Sequence, residues 1–203
     1  AYTAALSGFS PVFKDSQAWE KPNIRQRKYY HAPLEYNGRE LASSTTEITQ
    51  LEDGQRTHVW VNLQEYALNR YLIIQEYIPA GTTLVDGSLS GSFRHHQIGD
   101  GVITLYFPPN EYMRDYRYQL VSYAPGTYRA MPAIIRDVTR PQDYRIGQVA
   151  SLDVLAPGEK SKDEYKMNDS ELYEFGRAYF NDGKYEEALK HLSNLYAKSR
   201  TYN

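Results

Sequence analysis

The sequence predicts a mainly β protein, an antiparallel β-sandwich that ends in a helical hairpin. Short runs of alternating polar and apolar residues lie between frequent turn signals, which is typical of sandwiches. Tyrosine, which suits half-buried strands, occurs 20 times in 203 residues. After residue 170 the apolar residues change to helical spacing.

The β pattern begins near residue 34. Asn37-Gly38 predicts a hairpin turn between two short strands, and Glu52-Asp53-Gly54-Gln55 predicts the next turn. The run at 71–76 is densely apolar, which favours a central strand covered on both faces. Further strands are predicted at residues 57–63, 102–107 and 116–123.

The helical part begins with Asn168 and Glu171, the spacing of a capping box. The apolar and small residues that follow have the spacing of one tetratricopeptide repeat, which this region resembles. They are Leu172, Phe175, Gly176, Tyr179, Ala188, Leu192 and Leu195. A lone repeat cannot bury its own apolar face, so either further repeats follow in a longer protein or the helix pair docks on the sandwich. An ordinary helical hairpin without repeat ancestry remains an alternative.

Composition excludes several kinds of chemistry. The net charge of −2 argues against a nucleic-acid partner. Cysteine is absent, which excludes disulfides, thiolate zinc sites, a cysteine nucleophile and an internal thioester within this chain. No apolar run approaches the roughly 20 residues of a membrane span, so none is expected. Ala1 stands where an initiator Met would be, so we expect a mature or excised piece of something longer.

Two polar clusters are candidate sites. His95-His96 is the only histidine pair, but adjacent strand residues point to opposite faces, so we expect a polar surface loop and no metal site. The Ser-rich stretch at 87–92 lacks the Lys-Ser/Thr ending of a phosphate-binding loop, so we expect a mobile sandwich loop and no cofactor site.

Two further groups of residues are candidates for a functional role. Asp100, Asp115 and Asp137 have no spacing that pairs them with a nucleophile, so we predict no catalytic residues and no enzyme activity. A tyrosine series could form a carbohydrate- or peptide-binding platform, or be divided between the core and the surface of the sheet. It consists of Tyr112, Tyr116, Tyr118, Tyr123 and Tyr128.

Three short motifs together resemble a known family. Their residues occur in the order Pro79-Ala80-Gly81, Tyr118, Pro125-Gly126, Tyr128 and Pro132. Across about residues 28–155, the chain resembles the C-terminal macroglobulin domain of bacterial alpha-2-macroglobulin-like proteins. The resemblance implies a seven-stranded, fibronectin-like sandwich, with Tyr128 as a tyrosine corner. It also implies the terminal structural module of a large protease-trapping protein, whose bait segment and thioester lie in other domains.

We therefore predict four regions. Residues 1–27 form a strand and connection from a preceding region, residues 28–155 the macroglobulin-like sandwich, residues 156–169 a linker, and residues 170–203 the tetratricopeptide-like helix pair.

The expected function is that of a non-enzymatic, protein-binding module of a bacterial endopeptidase inhibitor. Its partners would be other domains of the parent, and proteases or protein ligands. The family resemblance implies an extracytoplasmic location, periplasmic or at the cell surface. The alternatives are an assembly scaffold that binds partners through sandwich and helices, or a surface carbohydrate-binding module.

Overall fold

A computed structural model describes residues 28–32, 34–62, 70–109, 115–140, 144–147 and 149–199. The strand predicted near the start of the chain lies outside these residues.

The described residues form fifteen strands and two helices. The strands are β1 (Lys28–His31), β2 (Glu35–Tyr36), β3 (Arg39–Glu40), β4 (Gln50–Leu51), β5 (Arg56–Asn62), β6 (Leu72–Tyr77), β7 (Thr82–Leu84), β8 (Ser90–Gly91), β9 (His95–Gly99), β10 (Val102–Phe107), β11 (Asp115–Ser122), β12 (Gly126–Ala130), β13 (Ile134–Asp137), β14 (Tyr144–Ile146) and β15 (Ala150–Val154). The helices are α1 (Asp169–Asn181) and α2 (Tyr185–Ser199).

Two antiparallel sheets share one core. The first has the order β1-β5-β11-β7, with β8 also paired to β11, and the second has the order β14-β13-β6-β10-β9. Every second residue of the central strands is buried, so each sheet turns one face inward. The inward residues include Val59, Val61, Leu120, Ile74, Ile103 and Leu105, all fully buried. The predicted mainly β, antiparallel class is confirmed.

The predicted strand at 102–107 is confirmed, because β10 has the same bounds. The prediction for β6 is wrong in one respect. This strand lies between β13 and β10 in the middle of its sheet, but only its alternate residues are buried. Ile73 remains half-buried on the outer face, where Tyr106 and Arg136 are its cross-strand neighbours. The apolar run is therefore covered on one face only.

Two predicted loops contain strands. His95 and His96 lie on β9, which pairs with β10 through a turn formed by Asp100 and Gly101. Both turn residues have positive φ angles, 51° and 71°, as a two-residue hairpin turn requires. Within the Ser-rich stretch, β8 pairs with β11. Polar strands at or near an edge lack the apolar alternation that indicates a strand, so the sequence predicts loops at both places and the predictions are wrong there.

A third sheet has the order β12-β15-β4, and β15 runs parallel to β4. After β15, the chain turns at residues 157–158 and runs back along residues 43–52. We call residues 156–168 the return segment. The segment leads into α1, whose capping box is confirmed: Asn168 accepts from the Glu171 backbone N–H, and the Glu171 side chain accepts from the Asn168 backbone N–H. No helix among the described residues is long and apolar enough to cross a membrane.

Candidate functional site

The Pro79-Ala80-Gly81 turn and Tyr128 meet at one end of the sandwich. The Gly81 carbonyl accepts a hydrogen bond from the Tyr123 backbone N–H at 2.9 Å. The Tyr128 hydroxyl donates to the backbone carbonyls of Ala124, at 3.1 Å, and Pro125, at 3.2 Å. A tyrosine that ties its own connection to the backbone a few residues upstream has the geometry of a tyrosine corner.

The corner depends on two glycines. A Cβ placed on Gly81 would lie 2.1 Å from Cε2 of Tyr128, and one on Gly126 would lie 3.2 Å from its Cζ. Both glycines also have positive φ angles, 78° and 150°. The structure thus brings Gly81, Gly126 and Tyr128 together around one ring, although 45 residues of sequence separate the first two. Pro132 lies half-buried in the connection from β12 to β13.

Tyr118 belongs to a different feature, a polar bridge through the core. The hydroxyls of Tyr116 and Tyr118 each donate to the Glu76 carboxylate at 2.7 Å, one to each oxygen. The tyrosines lie on β11 of the first sheet, and Glu76 lies on β6 of the second. All three side chains are buried, and the two rings stack at 11° between their planes. This bridge ties the two sheets together with charge-assisted hydrogen bonds.

Sequence reasoning missed Glu76, although a signal was present. Leu72, Ile74 and Glu76 occupy alternate positions of one strand, so the carboxylate had to share the buried face of its apolar neighbours. A buried carboxylate needs hydrogen-bond donors, and tyrosines at two inward positions of another strand supply them.

The described tyrosines of the series are divided between the core and the surface of the sheet, and these residues form no common platform. Tyr116 and Tyr118 are buried in the core, Tyr128 occupies the corner, and Tyr112 lies outside the described residues. Tyr123 is exposed. Tyrosines at alternate positions of β11 share its inward face, which explains why these rings face the core.

The three aspartates considered as catalytic partners lie on separate elements. Asp100 is in the β9–β10 turn, and Asp115 at the start of β11 pairs with Arg117 at 2.9 Å. Asp137 ends β13 and is buried, 3.5 Å from the Arg70 guanidinium. Burial alone would raise its pKa, but hydrogen bonds from Thr139 and the Arg70 charge hold the pKa of this carboxyl below its usual value. Within the described part of the chain, no three His, Asp or Glu residues are grouped to hold a metal ion.

The helical hairpin docks on the β2–β3 turn. The Tyr36 hydroxyl and the Asn37 side-chain amide both donate to Oδ2 of Asp182, at 2.7 and 3.0 Å. The Tyr36 ring lies edge-on to Tyr179, with 4.7 Å between ring centroids. The Lys184 ammonium sits 5.3 Å from the centre of the Tyr36 ring. The contact therefore combines a charge-assisted hydrogen bond with aromatic packing.

The residues singled out for repeat packing lie on α1 and α2, which pack against each other. Leu172, Phe175, Gly176 and Ala188 are buried, whereas Tyr179, Leu192 and Leu195 are half-buried. A Cβ on Gly176 would lie 2.7 Å from the Leu192 side chain, so glycine allows close approach of the helices. The Tyr179 ring stacks on His191 at 5.4 Å between centroids. Burial, followed by the Lys190 charge, lowers the pKa of His191.

The return segment is fastened to residues 43–52 mainly by side chains. Asp163 accepts hydrogen bonds from the backbone N–H groups of Thr49 and Gln50, at 2.7 and 2.9 Å, and from the Thr49 hydroxyl at 2.9 Å. Burial alone would raise the pKa of this carboxyl, but these hydrogen bonds lower it below its usual value. Thr46 both donates to and accepts from the Lys166 backbone. Tyr165 donates to Glu171, and burial together with this hydrogen bond raises the pKa of the Tyr165 hydroxyl far above its usual value.

An open groove of about 620 Å³ lies between the end of the return segment and α2. Its apolar lining comes from Met167, Leu172 and Ala197, and its rim carries three lysines. Two of them have partners: Lys166 pairs with Glu164 at 3.0 Å, and Lys198 donates to the Met167 carbonyl at 2.7 Å. Two of the three lysines along the groove are therefore bonded to other groups of the same chain.

Solved structures are similar in fold to about two thirds of this chain, whereas no protein-family model and no curated protein sequence matches it. Escherichia coli alpha-2-macroglobulin activated by porcine elastase is 17% identical, with a TM-score of 0.51 over 67% of this chain and 13% of that one. Trypsin-activated alpha-2-macroglobulin from Escherichia coli is 18% identical, with a TM-score of 0.51 over 66% of this chain and 10% of that one. The native Escherichia coli protein, spanning domain MG7 to the C-terminus, is 18% identical, with a TM-score of 0.49 over 66% of this chain and 24% of that one.

These matches concern the fold. The chain is similar to a small part of bacterial alpha-2-macroglobulins and spans 10% to 24% of the lengths compared. At this level of identity, a shared activity does not follow from shared architecture.

Proposed function

We propose that the chain is a non-enzymatic structural module of a large, extracytoplasmic alpha-2-macroglobulin-like protein that traps proteases. The sandwich would be its fibronectin-like macroglobulin domain, and α1 and α2 one tetratricopeptide-like repeat. The observation that carries the proposal is the corner in which Tyr128 fills the space above Gly81. Its motif residues suggested the family, and the fold is similar to that of bacterial alpha-2-macroglobulins.

The arrangement of polar groups favours a structural role over catalysis. Glu76, Asp137 and Asp163, which are buried or half-buried, are all engaged in hydrogen bonds or ion pairs that join segments of the chain. Carboxylates whose partners lie on other segments of the chain hold those segments in place, which is a structural use of the group. The proposed role is therefore to keep a rigid domain in place within a larger assembly.

The test uses the intact protein that carries these 203 residues, incubated with trypsin or elastase. Protease activity is then measured on a small peptide substrate and on a large protein substrate. A trap should leave cleavage of the peptide intact and abolish cleavage of the protein, because only the peptide reaches a caged enzyme. If both activities survive, the chain is not part of a protease trap.

Two matched variants connect that result to this domain. Gly81→Ala disturbs the corner, whereas Gly87→Ala changes a glycine with a similar φ and no atom near the new methyl. We expect the first variant to weaken trapping and the second to preserve it. Equal trapping by both would show that the corner has no part in it.

A second candidate function is an assembly scaffold that binds proteins through its helices. The specific observation is an exposed stripe on α2, in which Tyr185, Leu189 and Tyr196 are 61% to 69% exposed. Large apolar groups exposed at helical spacing are typical of surfaces that pack against another helix. This function would be favoured if both protease activities survive and if the chain binds a helical partner that the Leu189→Lys variant no longer binds.

A further inference from the structure

The outer edge of β9 is open. This strand is the last in its sheet among those described, and all five of its residues are exposed. In an antiparallel ladder, every second residue directs its N–H and C=O away from the partner strand, so an edge strand offers these groups to another chain. Ile98, which is 52% exposed, adds an apolar side chain to the same edge.

The usual protection of edges is missing here. Proteins block open edges with Lys, with Pro or with inward-pointing charges. The sequence of β9 is His-His-Gln-Ile-Gly, with no Lys, Arg or Pro. By comparison, the outer side of β1 is covered, because the Ile48 backbone N–H donates to the Tyr29 carbonyl at 2.9 Å. The β9 strand is therefore suited to pairing with a further strand.

Two charged residues flank β9, and their positions favour one kind of partner strand. Arg94 precedes the strand and Asp100 follows it, and both are exposed. Neither makes an ion pair with any residue that the structure describes. Arg94 immediately precedes the paired residues of β9, and its backbone N–H donates to the carbonyl of Tyr106, the partner of His95, at 2.9 Å. The edge thus carries a positive charge at one end and a negative charge at the other.

Antiparallel pairing of two copies would satisfy both charges at once. With the two-fold axis at Gln97, Arg94 of each copy lies opposite Asp100 of the other, and His96 lies opposite Ile98. Parallel pairing in register would instead place Arg94 against Arg94. Opposite charges across paired strands stabilise and like charges destabilise, so the antiparallel register is selected.

We propose that β9 is a self-association edge, on which a second copy of this chain adds its own β9 antiparallel around Gln97. Pairing joins the two five-stranded sheets into one continuous sheet across a two-fold axis, so each copy offers the same surface to the other. This inference does not depend on the proposed trapping function.

The test measures the mass of the 203-residue chain by sedimentation velocity over a wide range of protein concentration. The monomer is 23.5 kDa, and we expect the average mass to rise toward twice that value. Arg94→Asp alone and Asp100→Lys alone should each weaken association by at least about tenfold, because each replaces two attractions by two repulsions. An equimolar mixture of the two variants should associate again, since both cross-strand pairs of the mixed dimer are then attractive.

Controls separate edge pairing from misfolding. Asp100→Asn removes the charge with a residue that tolerates the positive φ, and should weaken association by a smaller factor. Arg136→Asp, an exposed charge change on β13, should leave association unchanged. Far-UV circular dichroism should be the same for all variants. A monomeric wild type at every concentration, or association that the single variants leave unchanged or the mixture does not restore, would overturn the proposal.

Discussion

The ring of Tyr128 occupies the volume that a side chain on Gly81 would need. A Cβ at position 81 would lie 2.1, 2.4 and 2.8 Å from three ring atoms, far inside van der Waals contact. The ring is held by hydrogen bonds from its hydroxyl to two carbonyls, so it cannot move away without losing them.

Gly81→Ala should therefore destabilise the domain by about 2–4 kcal/mol, from overpacking and from strain at a positive φ. The matched control is Gly87→Ala, which has φ of 72° and open space around the new methyl. It should cost about 1 kcal/mol, from the backbone alone. Urea denaturation measures the free energy of unfolding of both variants. Equal losses of stability would mean that the Tyr128 ring can move away from a side chain at position 81.

The bridge across the core gives a second prediction. Tyr118→Phe and Tyr116→Phe should each cost about 1.5–3 kcal/mol, because each removes a hydrogen bond to a buried carboxylate. The double variant should lose more stability than the two single variants added together, because Glu76 then accepts a hydrogen bond from neither tyrosine hydroxyl. Tyr106→Phe is the control, because its hydroxyl bonds the exposed Gln97 and its loss should be nearly neutral. Strict additivity in denaturant unfolding would argue against a coupled bridge.

Docking of the helices should depend on Tyr36. Tyr36→Ala removes the hydrogen bond to Asp182 and the ring that packs on Tyr179. Amide hydrogen exchange in α1 and α2 should accelerate, while the central strands keep their protection. Tyr173→Ala, which truncates an exposed ring on α1, should leave exchange in α2 unchanged. Faster exchange throughout the sandwich would instead mean that the helices and sheets unfold as one unit.

Asp163 predicts a pH dependence. Its pKa is lower in the folded state than the usual 3.8, so the carboxylate stabilises the fold at pH values well above 3.8. This stabilisation is lost as the pH falls below 3.8 and passes through the lower folded-state pKa. Asp163→Asn should therefore cost about 1–2 kcal/mol at neutral pH and progressively less in acid. Urea denaturation at several pH values checks this, and a difference from wild type that grows toward acid would contradict it.

The sequence was sufficient for features that local signals define. β10 follows a Gly-Asp-Gly turn and stops before Pro108-Pro109, so both of its ends could be predicted. The capping box at Asn168 is equally local. In contrast, β9 is polar and exposed, and among the described strands it pairs with β10 alone, so no alternation of apolar residues identifies it.

Features that join distant segments could be predicted only in part. The motif residues around Gly81 and Tyr128 were found as a set, but their packing follows from the tertiary fold. Glu76 and Tyr116 are 40 residues apart, and nothing local pairs them. The residues now called the return segment were predicted to be a linker because they are polar. Their polarity instead supplies hydrogen bonds to residues 43–52, which only the folded path of the chain reveals.

The return segment also determines how the domain would respond to mechanical force. It runs antiparallel beside residues 43–52, with Asn168 bonded to Ser43 and Lys162 bonded to Gln50. Once the Asp182 contact with Tyr36 and Asn37 has opened, tension applied through the helices would load these bonds one after another, from Asn168 back toward the turn at residues 157–158. The segment would peel away before the hydrogen bonds between the core strands carry load. It would act as an extensible tether that lengthens under tension while the sandwich stays folded.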